Sequence, residues 1–146
     1  MPYAGIATRA VGLAVDAALA QLIVLAGGAV LALAASLVGN ATLETPEKLL
    51  AAFGWAFVVG AYFVLFWTTT GQTPGMRLMG LRVLGPEGGH LSLTRALVRL
   101  LGLALAIIPL FAGFLPVLVD DRRRALQDLM AGTVVVYAEP ATAAPA

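Results

Sequence analysis

Arg9 and Asp16 stand seven residues apart in an otherwise apolar run, and they are the first residues of this sequence that could do chemistry. If the run is one helix beginning near Ala10, Asp16 lies about 9 Å along it at 1.5 Å per residue. An ionisable group at that depth in an apolar helix marks a functional site by default, or else it needs a charged partner. Arg9 shares nearly the same helical face, yet helical side chains lean toward the N-terminus, which directs Arg9 away from Asp16 and toward an interface. The partner is therefore sought in Arg95, Arg99 or the Arg122, Arg123, Arg124 triplet. A structural ion pair is the favoured reading, and a carboxylate that loads and releases a proton is the alternative. A shallow, water-exposed position is the third.

Asp128 follows Arg124 by four residues, close enough to pair on one helix turn or to reach Arg77 or Arg82. The expected role is structural, tying a C-terminal strand under the helices. Asp120 and Asp121 adjoin the triplet as further partners. Around Gln72, the run Gly71-Gln72-Thr73-Pro74-Gly75 reads as turn chemistry: Thr73 caps, Pro74 opens a short helix, and the pattern of a phosphate-binding loop is missing. Gln21 falls on a different helical face from Asp16 and is expected to bond a neighbouring helix. His90 is the single histidine and Cys is absent, so neither a metal site nor thiol chemistry is expected. No hydrolase or transferase motif and no cofactor box appears, and the reading is of a protein that is not an enzyme.

The composition sets the solvent in which these residues work. Sixty per cent of the 146 residues are hydrophobic and 12% charged, with a mean hydropathy of +0.93, against the quarter-charged balance of soluble domains. That implies an all-α integral membrane protein. A net charge of +1 argues against a nucleic-acid partner. The length suits one domain, residues 1–137, followed by an Ala/Pro-rich tail, 138–146, expected to be disordered.

Three apolar blocks follow. Residues 10–38 and 49–67 are long enough to cross a bilayer core of about 30 Å, and Thr45 with Pro46 looks like the cap and first turn of the second helix. Block three, residues 96–119, also has the length but carries Pro109 and Pro116, each of which obstructs a straight helix. Arginines Arg9, Arg77, Arg82, Arg95, Arg99 and Arg122 to Arg124 flank the blocks, whereas only Lys48 lies between the first two. Cytoplasmic segments collect Lys and Arg. A single third crossing would put the triplet outside, so this block is expected to fold back near residues 109–113 as a helical hairpin, with both termini cytoplasmic. Asn40-Ala41-Thr42 matches a glycosylation acceptor and is read as chance.

Leu81-Arg82-Val83-Leu84 and His90-Leu91-Ser92-Leu93 bracket a Gly/Pro turn and are expected to form a small cytoplasmic β-hairpin. Thr133 to Tyr137 is a β-branched run that adds a third strand if it lies on the same side.

Taken together, Arg9 with Asp16, the run from Gly71 to Val83, and Asp121-Arg122-Arg123-Arg124-Ala125-Leu126-Gln127-Asp128-Leu129-Met130-Ala131-Gly132-Thr133 resemble the RDD family, named for one arginine and two aspartates. The resemblance implies Arg9, Asp16 and Asp128 as the triad, with Asp120 competing for the last place. Gln127 stands where the family often has histidine, so an Asp-His proton relay is not supported. It further implies a multi-pass protein of the bacterial inner membrane, with transport of a proton, cation or other small solute around Asp16 set against a structural or accessory role. A path through so few helices calls for a homo-oligomer, and the arginines suit anionic lipid headgroups.

Overall fold

The computed structural model describes residues 3–38 and 45–138. The loop that carries Asn40-Ala41-Thr42 and the Ala/Pro-rich tail beyond Ala138 lie outside the described residues, and so does the side chain of Thr45, the expected cap, although its backbone opens α2. In chain order the elements are α1 (Ile6–Val38), α2 (Thr45–Thr69), α3 (Pro74–Leu78), β1 (Leu81–Leu84), α4 (Leu93–Ile107), a 3₁₀ segment (Ala112–Leu118), α5 (Leu126–Ala131) and β2 (Val134–Tyr137).

Helices α1 and α2, of 33 and 25 residues, are each long and apolar enough to cross a membrane. Both are apolar around their whole circumference, the pattern of a helix solvated by lipid. Beyond Ala20 on α1 and before Val59 on α2 almost every described side chain is exposed. Within that outer region Trp55 donates its indole N–H to Gln21 Oε1 at 3.0 Å, the helix-to-helix bond expected of Gln21.

Block three is broken where the prolines require. Helix α4 ends at Ile107, and the 3₁₀ segment leaves it at 104°. The corner places Leu110 and Phe111 at φ 51° and 64°, a left-handed conformation unfavourable for side chains with a Cβ. Gly113 makes the return close, since any Cβ there would collide with Ala106. The chain comes back to where it started: Arg95 near the beginning of α4 donates to the Ala131 carbonyl at the end of α5, at 2.8 Å. Helix α4 buries Ala96, Arg99, Gly102, Leu103 and Ala106, a stripe at three- and four-residue spacing that faces the bundle.

The sheet corrects the expected hairpin. Strand β1 pairs antiparallel with β2, Leu81 opposite Tyr137 and Leu84 opposite Val134. His90 to Leu93 forms no strand. Instead the Ser92 side chain caps α4, accepting from the Arg95 N–H at 3.4 Å. A Ser that satisfies an orphan helix donor outweighs the weak strand preference of a four-residue run. On the other edge of β2, Tyr3 bridges Val136, and the Ala4 N–H donates to the Val135 carbonyl. Tyr3 and Ala4, the sheet, α3, α5 and the start of α4 thus gather at one end of the molecule, around Trp67, Leu81, Val83 and Val135.

Candidate functional site

Asp128 sits at the third position of α5 and reaches back to accept from the Ala125 N–H at 3.0 Å, taking the place of a side-chain cap at the helix start. The same carboxylate is shared by two arginines from different helices. Arg9 of α1 donates to Oδ2 and Arg99 of α4 to Oδ1. Thr133, just before β2, receives Arg99 at 2.7 Å and donates to Asp128 at 3.3 Å. Arg9 also holds the Ala4 carbonyl at 3.2 Å, and the Arg99 guanidinium lies 4.9 Å from the Trp67 ring centre, a cation–π contact. All three charged groups are buried, Asp128 completely.

Two expectations are corrected by this arrangement. Arg9 is 7% exposed and does not snorkel. The lean of helical side chains carries it toward the N-terminal end as expected, but there it meets Asp128 and not the interface. Asp128 takes neither Arg124 nor Arg77 nor Arg82. Arg124 belongs to Asp120, bound at 2.8 and 3.0 Å, and that pairing holds the Asp120 carboxyl far below its usual range, chiefly through the Arg124 side-chain hydrogen bonds. Asp120 therefore stays outside the triad.

Asp16 has no arginine partner among the described residues. Its Oδ1 accepts from Tyr62 of α2 at 3.0 Å and from the Gly75 N–H at 2.7 Å, and its Oδ2 accepts from the Thr73 hydroxyl. Thr73 simultaneously caps α3 by accepting from the Met76 N–H at 3.2 Å. The Gly71 to Gly75 run is turn chemistry as expected, but its purpose is to present two donors to a carboxylate on α1. Contact this close needs Gly75. A Cβ there would overlap the Gly12 carbonyl and stand 2.8 Å from the Asp16 carboxyl carbon.

The remaining candidates are peripheral. Gln72 holds the Leu81 carbonyl at 2.8 Å and fixes the entry to β1. Arg77, Arg82, Asp121, Arg122 and Arg123 are exposed, and Arg95 ties α4 to α5.

Beside Asp16 and the two arginines that hold Asp128 lies a cavity of about 30 Å³, whose wall includes Arg9, Asp16, Trp67, Arg99 and Gln127. Among the described residues four buried polar atoms have no hydrogen-bond partner: Arg9 Nη2, Arg99 Nε, Trp67 Nε1 and Gln127 Oε1. The four residues that carry them all line that cavity. Buried polar atoms are satisfied as a rule, so their concentration around one void distinguishes it from a packing defect. Trp67 and Gln127 were not singled out as site residues from sequence. Nothing in their local pattern separates them from a belt aromatic and a helix-surface amide.

Burial pushes the Asp128 carboxyl up, but the charges of Arg99 and Arg9 outweigh it and hold the group below the usual carboxylate range. A depressed carboxylate contributes stability that is complete above its unfolded-state value near 4 and is lost as pH falls through the folded one. The melting temperature in detergent is therefore expected to be level from neutrality to about pH 5 and to drop below about pH 4, and Asp128→Asn is expected to flatten that drop.

Comparison with known proteins places this geometry in context. The RDD family profile matches residues 3–132. Protein YckC of Bacillus subtilis (strain 168), described as uncharacterized, is 34% identical over 93 residues, which cover 58% of this chain and 60% of that relative. The matched part thus spans less than two thirds of the relative's length. No solved structure matches the chain.

Proposed function

The chain belongs to the RDD family, and we propose that it carries a small solute across a membrane through the cavity between Asp16 and the Arg9–Asp128–Arg99 cluster. The observation that supports this reading is the void itself, with four unpartnered polar atoms carried by residues of its wall. Pockets between helices, mostly apolar with a few convergent polar groups, are where small ligands bind. Asp16, with no charged partner among the described residues, is the group whose protonation would follow the solute. Flux in vesicles tests it: wild type is expected to move a proton or solute across a pH series, and Asp16→Asn to be assembled but uncoupled.

A structural reading is favoured by the saturation of both carboxylates, each of which ties three chain segments together. Under that reading Asp16→Asn mainly lowers the melting temperature, by inverting the Thr73 bond, and wild-type vesicles show no flux above protein-free ones.

The gathering of Tyr3, the sheet and the exposed arginines at one end suits a cytoplasmic face. Arg77, Arg82, Arg122 and Arg123 would meet anionic headgroups there, in a bacterial inner membrane, with further copies completing the path. The sequence has no cysteine, so a single cysteine at exposed Glu87 reports orientation cleanly. It is expected to resist an impermeant thiol reagent in intact cells and to react after lysis. Labelling from outside would invert the topology.

A further inference from the structure

We infer that the cavity beside Asp16 is a binding site for one compact monovalent anion of the halide class. This rests on reading the cavity as a solute site and deepens it by naming the solute's chemistry. Arg9 Nη2, Arg99 Nε and Trp67 Nε1 are donors with no acceptor. A single water accepts two hydrogen bonds, which would leave one of the three unmet, whereas an anion accepts from all. The fourth atom, Gln127 Oε1, does not oppose this. The oxygen and nitrogen of an amide have the same shape, so turning the Gln127 side chain end for end offers an N–H₂ to the same space and completes a four-donor set.

Charge and size narrow the class. Two guanidinium groups line the void and share one contacting carboxylate, Asp128. Asp16 also lines it, but both of its oxygens are engaged by Tyr62, Thr73 and Gly75. A metal cation would face two arginines at close range. With Asp16 ionised the four side chains sum to zero, so the site supplies directed donors and no large net charge, which suits a monovalent anion over a divalent one. A volume of about 30 Å³ exceeds the roughly 10–15 Å³ that a cavity needs to hold one water, so a compact ion has room in it. Seven apolar residues, among them Leu13, Phe63, Met76 and Leu103, make up the rest of the lining, an apolar surround that favours a weakly hydrated ion.

Trp67 supplies the probe. The chain has two tryptophans, and Trp55→Phe leaves Trp67 alone to report. Purified Trp55→Phe protein in detergent is titrated with bromide, a quencher of indole emission, at ionic strength held constant with sulfate. The expected result is quenching that saturates and that chloride reverses competitively, with a melting-temperature rise in chloride that sulfate does not reproduce. Gln127→Leu, which removes the amide and leaves every charge, is expected to weaken chloride binding about tenfold, the effect of one hydrogen bond to a charged group.

Linear quenching that chloride does not relieve, or equal shifts in chloride and sulfate, would overturn the inference and leave a cavity holding water. If Gln127→Leu fails to fold, halide selectivity in the unmutated cavity still decides. Vesicle flux in sulfate and in chloride separates this claim from the transport proposal. Halide binding without flux keeps the site and removes transport; proton-coupled flux in sulfate without halide binding keeps transport and removes the anion site.

Discussion

Asp128→Ala is expected to destabilise the protein by about 3–5 kcal/mol, the range found when one partner of a buried ion pair is removed and the other is left charged. Here two partners are stranded. Arg9 and Arg99 both donate to Asp128 while 7% and 2% exposed, so the value is expected at the upper end. Thermal or chemical melting in detergent measures it, with Asp120→Ala as the comparison. That variant breaks the partly exposed pair with Arg124 and is expected to change little. If uncompensated charge is the cause, replacing all three by apolar residues in Arg9→Met/Arg99→Met/Asp128→Leu should recover most of the loss. A triple variant as unstable as Asp128→Ala would show that the hydrogen bonds to Ala125 and Thr133 dominate instead.

Gly75→Ala is expected to be comparably severe although it adds one methyl group. Overpacking typically costs about 1–3 kcal/mol, but the new Cβ meets the Gly12 backbone carbonyl and the Asp16 carboxyl, neither of which can rotate aside. Moving α3 away also breaks the Gly75 and Thr73 bonds to Asp16, each a charged-acceptor bond worth about 1.5–3 kcal/mol. A total loss of about 3 kcal/mol or more follows. Gly27→Ala and Gly54→Ala make the contrast, since a Cβ at either position meets nothing within 4 Å, and alanine suits a helix interior better than glycine by up to about 1 kcal/mol. They are expected to leave the melting temperature unchanged or raised. A Gly75→Ala protein as stable as these would remove the close crossing of α3 over α1 from the account.

Much of the architecture was legible in the sequence because it follows from local rules. Long apolar runs specify α1 and α2, Pro109 breaks the third block, and β-branched residues mark Val134 to Tyr137 as strand. The pairing of β1 was not legible. Four-residue runs carry too little pattern to choose between a partner nine residues on and one more than fifty residues on, and the Ser92 cap decided the matter locally. Arg9, Asp16 and Asp128 stood out as ionisable residues in or near apolar segments. Their partners did not. Arg99 was one of several arginines within reach, and the donors to Asp16 are a hydroxyl, a phenol and a backbone amide, groups that occur throughout the chain. The lean of helical side chains toward the N-terminus separated Arg9 from Asp16 in spite of their shared face. In the folded protein they face different partners at one cavity.

Arg9 and Asp128 are separated by 119 residues along the chain, which gives their contact a consequence for biogenesis. A nascent chain at 5–20 residues per second inserts α1 several seconds before Asp128 is synthesised. Throughout that interval the α1 arginine lacks Asp128, and Asp16 has only the Tyr62 donor until Thr73 and Gly75 follow. Charged groups can be held near the bilayer only at the expense of tilting or local thinning, so every incomplete chain is an awkward passenger of the membrane. Loss of α5 by truncation or frameshift would keep both spanning helices and yet leave two guanidinium groups unpaired for good. Such chains are expected to be cleared faster in a pulse-chase than chains that retain α5, because Arg9 and Arg99 never meet Asp128.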